Sequence, residues 1–116
     1  MGRIIPEEEI NREPQDWLTW EAFHTHAQVH PPNGIAGLSR FVDNCPITHT
    51  AAFLHPGFGP WSTSLHFVYT PGLCYPQPPW LCDARREVDR HLKGTPITWQ
   101  EWQGILERCK PEEGNA

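Results

Sequence analysis

The sequence has few of the residues that build a protein core, and no long run of them. Leu, Ile, Val and Phe make up 24 of the 116 residues, or about 21%, just above the level at which chains stay disordered. No apolar run approaches the roughly 20 residues of a membrane span. Because six tryptophans add large apolar surfaces, we expect a folded domain with a small core and no membrane attachment.

Basic residues are also scarce, since nine Lys and Arg face fourteen Asp and Glu, for a net charge of −5. This balance argues against a protein whose main task is to neutralise phosphates, so we expect no strong nucleic-acid binding. The first ten residues contain Pro6 and Glu7–Glu9 rather than an apolar stretch of signal-peptide length. We therefore expect a cytoplasmic protein whose four cysteines are reduced.

Charge is nearly missing from the centre of the chain. From Phe41 to Cys82 the one charged residue is Asp43, whereas aromatic residues are frequent there. Since charged residues are rarely fully buried, such a stretch is either the structural centre or an exposed surface that binds a partner.

Proline and glycine, with 13 and 9 residues, predict many loops and little regular structure. At this length we expect one compact α+β domain over residues 14–110, between a flexible acidic segment 1–13 and a flexible tail 111–116.

Three helices are predicted. The first has Asp16 as its N-cap and ends before Pro31, and the second runs from Asp83 to Lys93 and ends at Gly94. The third begins at Thr98 with Glu101 three residues later, the pattern of a capping box.

Strands are predicted between these helices. Ser64–Thr70 alternates as a half-buried strand does, and Thr50–His55 is its expected partner across the loop 56–61. A third strand is expected within Ile35–Val42. The predicted fold class is α+β, a small antiparallel sheet flanked by one N-terminal and two C-terminal helices.

A structural zinc ion is one interpretation of the central cysteines. Cys45, His49, Cys74 and Cys82 provide the four S and N ligands that zinc takes, and a chain with a small core would gain stability from such a site. The spacing lacks the tight CxxC pairs typical of zinc sites, and the alternative is that the thiols are simply buried.

Three histidines, His24, His26 and His30, form a second candidate metal cluster. On a helix only His26 and His30, four residues apart, would face the same way. Cys45 with His49 or His66 as its base is a candidate nucleophile, but no motif fixes a catalytic site, and we predict no catalytic residues.

Six residues are predicted to contact a partner protein. Phe58 and Trp61 lie in a Pro/Gly loop, Tyr75 and Trp80 flank a Pro-rich stretch, and Arg86 and Arg90 share a helix face. The competing interpretation is that the rings pack on the sheet and that the arginines form a solvated face.

The predicted function is a small protein-binding module, an adaptor or inhibitor of the kind that viruses and phages encode. The alternatives are a metal-dependent hydrolase or nuclease that uses His and Cys ligands, and a structural subunit of a larger assembly.

Overall fold

The computed structural model describes residues 17–41, 43–57, 60–64 and 66–111. In these ranges the chain forms four helices and two small antiparallel sheets, which confirms the α+β class. The segments predicted to be flexible, 1–13 and 111–116, lie outside the described residues apart from Pro111. The elements are, in chain order, α1 (Trp20–Gln28), β1 (Ile35–Leu38), α2 (Pro46–Leu54), β2 (Ser62–Thr63), β3 (Phe67–Thr70), β4 (Leu73–Pro76), α3 (Pro79–Val88), β5 (Pro96–Thr98) and α4 (Trp99–Arg108).

Helix α1 starts at Trp20 because Thr19 caps it. The Thr19 Oγ1 accepts a hydrogen bond from the Ala22 N–H at 3.2 Å, which satisfies one of the free amides of the first turn. The predicted N-cap, Asp16, lies outside the described residues. Trp20, Phe23 and Ala27, which recur at steps of three and four, are buried on one face of this helix.

The strand predicted at Thr50–His55 is wrong, because these residues belong mostly to helix α2. Pro46 stands at its first position, where its fixed φ suits a helix and its missing N–H costs nothing. The Cys45 N–H donates to Thr48 Oγ1 at 3.0 Å, which completes the start of the helix. Thr48 is buried, and so are Pro46, Ile47, Thr50 and Ala51, which recur at helical spacing.

The strands form two sheets rather than the single predicted one. Strand β3 lies within the predicted Ser64–Thr70 segment, but it forms its hairpin with β4 through a turn at Gly72, whose φ is 88°. On its other side β3 pairs with β2. The strand expected within Ile35–Val42 is β1, which pairs with β5 in the separate two-stranded sheet.

The two C-terminal helices follow the prediction to different degrees. Helix α3 starts at Pro79 and ends at Val88, earlier than the predicted Asp83–Lys93 at both ends, because Pro79 supplies a helix start. Helix α4 begins as predicted, since Thr98 Oγ1 accepts from the Glu101 N–H at 3.1 Å and the Glu101 carboxylate accepts from the Thr98 N–H. No helix in the described part of the chain is long and apolar enough to cross a membrane.

Helices α1 and α4 hold the two ends of the described chain together. The Trp20 indole N–H donates to the Leu106 carbonyl at 2.7 Å in the interior. The largest fully buried side chains belong to the same core cluster and include Trp102, Phe23, Ile47, Leu81 and Ile97.

Strand β1 passes very close to the start of α2 at Gly37. A Cβ atom on Gly37 would lie 2.5 Å from both the Cys45 carbonyl carbon and the Pro46 nitrogen. Real Cβ contacts are not that short, and backbone atoms cannot rotate away, so the position requires glycine.

We predict that Gly37→Ala lowers the free energy of unfolding by about 2 kcal/mol or more, because overpacking forces the backbone apart. Gly104→Ala is the matched control, since a Cβ there meets only the flexible Arg108 side chain, at 3.5 Å. Alanine in that helical position is expected to raise stability by about 0.5–1 kcal/mol. Urea denaturation measures both variants, and equal stabilities would contradict the close approach.

Candidate functional site in the groove between helices α1 and α2

Three of the four aromatic residues predicted to contact a partner lie inside the domain. Trp61, Tyr75 and Trp80 expose only 3%, 4% and 4% of their surfaces. Trp61 and Tyr75 pack with Trp17 in a cluster whose ring centroids are 5.4–6.3 Å apart. Phe58 lies outside the described residues. Because these described rings form the core, we place the candidate surface elsewhere.

The two arginines predicted to contact a partner lie on the exposed side of α3 and the turn after it. Arg86 is paired within its own helix, with its Nη1 2.6 Å from Asp83 Oδ1. An exposed pair at this spacing is typical of a solvated helix face and contributes little to stability. Arg90 is exposed just beyond the helix. A partner contact through these residues stays a prediction.

The first two predicted zinc ligands have other partners. Cys45 is buried at the start of α2, with its Sγ 3.8 Å from Thr63 Oγ1. His49 is exposed, and its Nε2 lies 2.5 Å from Asn44 Oδ1. Since that amide oxygen only accepts, His49 donates through Nε2, which leaves this nitrogen without a lone pair for a metal.

The other two predicted ligands lie on different elements, Cys74 within β4 and Cys82 on α3. The Cys82 thiol donates to the Gln77 carbonyl at 3.6 Å, and burial raises its pKa. Among the residues that the structure describes, no three or more His, Cys, Asp or Glu side chains come together as a metal site. The four predicted ligands are therefore not brought together.

The cysteine near the C-terminal end of the domain has a partner that the sequence did not indicate. Cys109 donates to Glu87 Oε2 at 3.4 Å, and burial together with this carboxylate raises its pKa to about 12. No disulfide joins any of the four cysteines, all of which the structure describes. A thiol that stays protonated at neutral pH is a poor nucleophile, so Cys82 and Cys109 have low reactivity in the folded protein.

An open, mostly apolar groove lies between α1 and α2, with a volume of about 440 Å³. Its walls are mostly apolar. The side chains that line it are Glu21, Ala22, Thr25, His26, Val29, Phe53 and Leu54. Val29 and Phe53 expose 69% and 63% of their surfaces, far more than side chains of that kind in a packed core.

His26, which lines this groove, pairs with His30. His26 Nε2 lies 3.0 Å from His30 Nε2, so one imidazole donates to the other. The His30 ring stacks on Trp99 with a centroid distance of 4.0 Å, and His26 packs against Phe53 at 4.3 Å. The spacing had predicted that these two histidines face the same way, and they do, although His26 is buried rather than exposed.

His24, the third histidine of the cluster, points elsewhere. It stacks on Trp20 at 4.5 Å, and its Nε2 lies 3.4 Å from Glu107. Helical geometry separates it from the other two, as residues two apart diverge on a helix.

The proton of the histidine pair has a preferred position. Burial, together with the neighbouring His30, lowers the pKa of His26, which favours the neutral form of that imidazole. His26 Nδ1 is buried and has no hydrogen-bond partner in the described structure. A buried lone pair costs less than a buried N–H without an acceptor, so His26 donates through Nε2 and His30 accepts.

Comparison with known proteins provides no relative to guide the assignment. No family model matches the chain, and no curated protein or solved structure matches it significantly. The function is therefore inferred from the groove and its chemistry.

We predict that the domain loses stability as the pH falls from 7.5 to 5.5. The folded-state pKa of His26 is below its unfolded value of 6.5, so the unfolded chain binds more protons and gains population below about pH 6.5. The loss is at most about 1.4 kcal/mol per pH unit for one histidine.

Urea unfolding at several pH values measures how the free energy of unfolding depends on pH. We expect His26→Gln to make this dependence weaker. Burial also lowers the pKa of His49, but its exposed side chain should mute that contribution. Measurements stay above pH 5.5 because the Glu87 carboxyl, whose pKa is lowered by Arg108, contributes only in more acidic solution. A stability that is constant or rises toward pH 5.5 would contradict the buried neutral imidazole.

Proposed function

We propose that this protein is a cytoplasmic protein-binding module that holds an apolar segment of another protein in the groove between α1 and α2. The observation that carries the proposal is the exposure of Phe53 and Val29 at an apolar groove. In this proposal the protein is an adaptor or inhibitor, and its contacts are aromatic, as the composition suggested.

The shape of the groove suits an inserted side chain. Ala22 lies in one wall, where a small residue lets another chain approach the backbone of α1. Phe53 stands at the opposite wall, and Leu54 follows it. A bound apolar residue would cover Phe53 and remove apolar surface from water, which stabilises a complex by about 25 cal/mol per Å².

The groove favours a short segment over a large globular partner. It is lined by seven side chains, whereas a stable interface between two globular proteins uses about 20–30 residues a side. A helix or extended peptide that inserts one or two anchors into a groove needs far less area. We therefore assign the occupant to a peptide-like segment.

Charge defines the flanks of that segment. Glu21 is the only charged side chain among the residues that line the groove. The whole chain carries a net charge of −5. Complementary partners carry positive charge, so we expect a Lys or Arg beside the apolar anchors.

A random peptide library selected against the protein tests this function. We expect enriched peptides that combine Leu, Ile, Phe or Trp with Lys or Arg, and binding at least tenfold weaker for Phe53→Asp because a carboxylate would be forced against the apolar anchor. Glu21→Lys is expected to weaken these peptides and to favour acidic flanks instead.

Leu92→Asp is the matched control, because Leu92 is equally apolar and exposes 82% of its surface away from the groove residues. Binding that survives Phe53→Asp but is lost in Leu92→Asp would move the site away from the groove. If no peptide is enriched, the groove does not bind a peptide-like partner. If the protein instead dimerises with increasing concentration and Phe53→Asp abolishes the dimer, the occupant of the groove is a second copy of this chain.

A further inference from the structure

The hydrogen bond between His26 and His30 places a titratable contact beside the groove. We propose that this hydrogen bond is a pH-sensitive switch, which keeps the groove in its binding shape at neutral pH and breaks when the pair takes up a proton in mildly acidic solution. The switch acts on the same groove, so its role in binding rests on the proposed function. Its basis is the number of protons that the hydrogen-bonded pair can hold.

The hydrogen-bonded pair has a favourable place for two ring protons. His26 Nε2 and His30 Nε2 are 3.0 Å apart, which leaves room for one proton between them. With His26 as the donor, the second proton is on His30 Nδ1. The remaining nitrogen, His26 Nδ1, is buried and has no hydrogen-bond partner in the described structure. A neutral pair therefore places no proton on that buried nitrogen.

A third proton is unfavourable on either ring while the two stay in contact. On His26 Nδ1 it would form a buried N–H without an acceptor. On His30 Nε2 it would face the His26 Nε2–H, unless His26 moves its own proton to the same buried Nδ1. The pair thus takes up a proton more easily after the rings separate. In agreement, burial and the neighbouring His30 lower the pKa of His26.

Few charged groups face His26 from the helices packed around it. On α1, Glu21 lines the same groove, but it is exposed, so water and salt screen its attraction for a proton. On α2 the one titratable side chain is His49, which is bonded to Asn44. The charged side chains of α4 have other partners, namely Glu101 at the cap of its own helix, Glu107 beside His24, and Arg108 beside Glu87.

Separation of the rings would change the wall of the groove. His26 lines the groove and packs against Phe53, with ring centroids 4.3 Å apart. The His30 ring is stacked on Trp99 at 4.0 Å, with 7° between the ring planes. A charged His26 must reach water, and the groove that it lines is open to solvent. It would displace Phe53 and put a positive charge where an apolar segment with Lys or Arg flanks binds, so binding would weaken.

Two quantities set the size of the effect. One hydrogen bond between neutral groups gives the closed pair a preference of about 2- to 13-fold. An imidazole that has left the pair and has the ordinary pKa of about 6.5 gains about 11-fold in population at pH 5.5 through protonation. The open form is then minor at pH 7.5 and about equal to the closed form, or above it, at pH 5.5. We therefore expect binding to be about two- to fourfold weaker at pH 5.5.

Calorimetry on the full-length protein at pH 7.5 and 5.5 tests this change in affinity. The probe is the most enriched library peptide that lacks His, Asp and Glu, so that the peptide itself does not titrate. His26→Gln should remove most of the pH dependence, because an uncharged amide can either donate to His30 or accept from it. His24→Gln is the matched control on the same helix and should keep the dependence, since His24 faces Glu107. Equal affinities at the two pH values, or a pH dependence that His26→Gln retains, would overturn the switch.

Nuclear magnetic resonance on the unbound, unmutated protein tests the switch without a peptide. At pH 7.5 the ring nitrogen shifts should show a proton on His26 Nε2 and none on Nδ1. On acidification the His26 and His30 signals should titrate together with a midpoint below 6.5, and the Phe53 ring signals should shift at the same midpoint. Circular dichroism should show that the helices stay folded over this range.

The outcomes separate the switch from the proposed function. A proton on His26 Nδ1 at pH 7.5, Phe53 signals that do not follow the titration, or loss of the helices before it would each contradict the switch. The expected titration in a protein that binds no library peptide would contradict the proposed function alone. Peptide binding that is equally strong at both pH values would contradict the switch alone.

Discussion

The structure depends on the contact between its first and last described helices. Trp20 and Leu106 are 86 residues apart, and the buried indole N–H of one donates to the carbonyl of the other. A chain with so few aliphatic residues cannot build several independent cores, so it closes one core by joining its ends. Phe23 on α1 and Trp102 on α4 are fully buried in the same core cluster as Trp20 and Leu106.

The groove is a consequence of that arrangement. Helix α1 uses one face to pack on α4, and its neighbouring face meets α2, which ends at Leu54. Val29 follows the last residue of α1 and stays exposed. The same geometry buries His26 where the two helices meet, which explains why a polar residue lies under an apolar groove.

Features that depend on residues close together in the sequence could be predicted, whereas features that depend on tertiary packing could not. The start of α4 was predicted because Thr98 and Glu101 satisfy each other's amides within one turn, and the His26–His30 pair follows from helical spacing. Helix α2 was missed because a short apolar run fits both a strand and a buried helix. With residues 50–55 taken as a strand, Phe53 could not be placed beside α1. The burial of Trp61 and Trp80 depends on elements far away in the chain, which no local pattern encodes.

The state of the thiols links the chemical lifetime of the protein to its thermodynamics. Four cysteines are many for 116 residues, yet Cys45 and Cys74 are buried and the raised pKa of Cys82 and Cys109 keeps their thiols protonated. Oxidants therefore react mainly with molecules that have opened. When opening and closing are fast, such damage follows the equilibrium population of open molecules, and each 1.4 kcal/mol of added stability lengthens the lifetime about tenfold. Under oxidising conditions, the stability of the fold would thus determine how fast the cysteine thiols are oxidised.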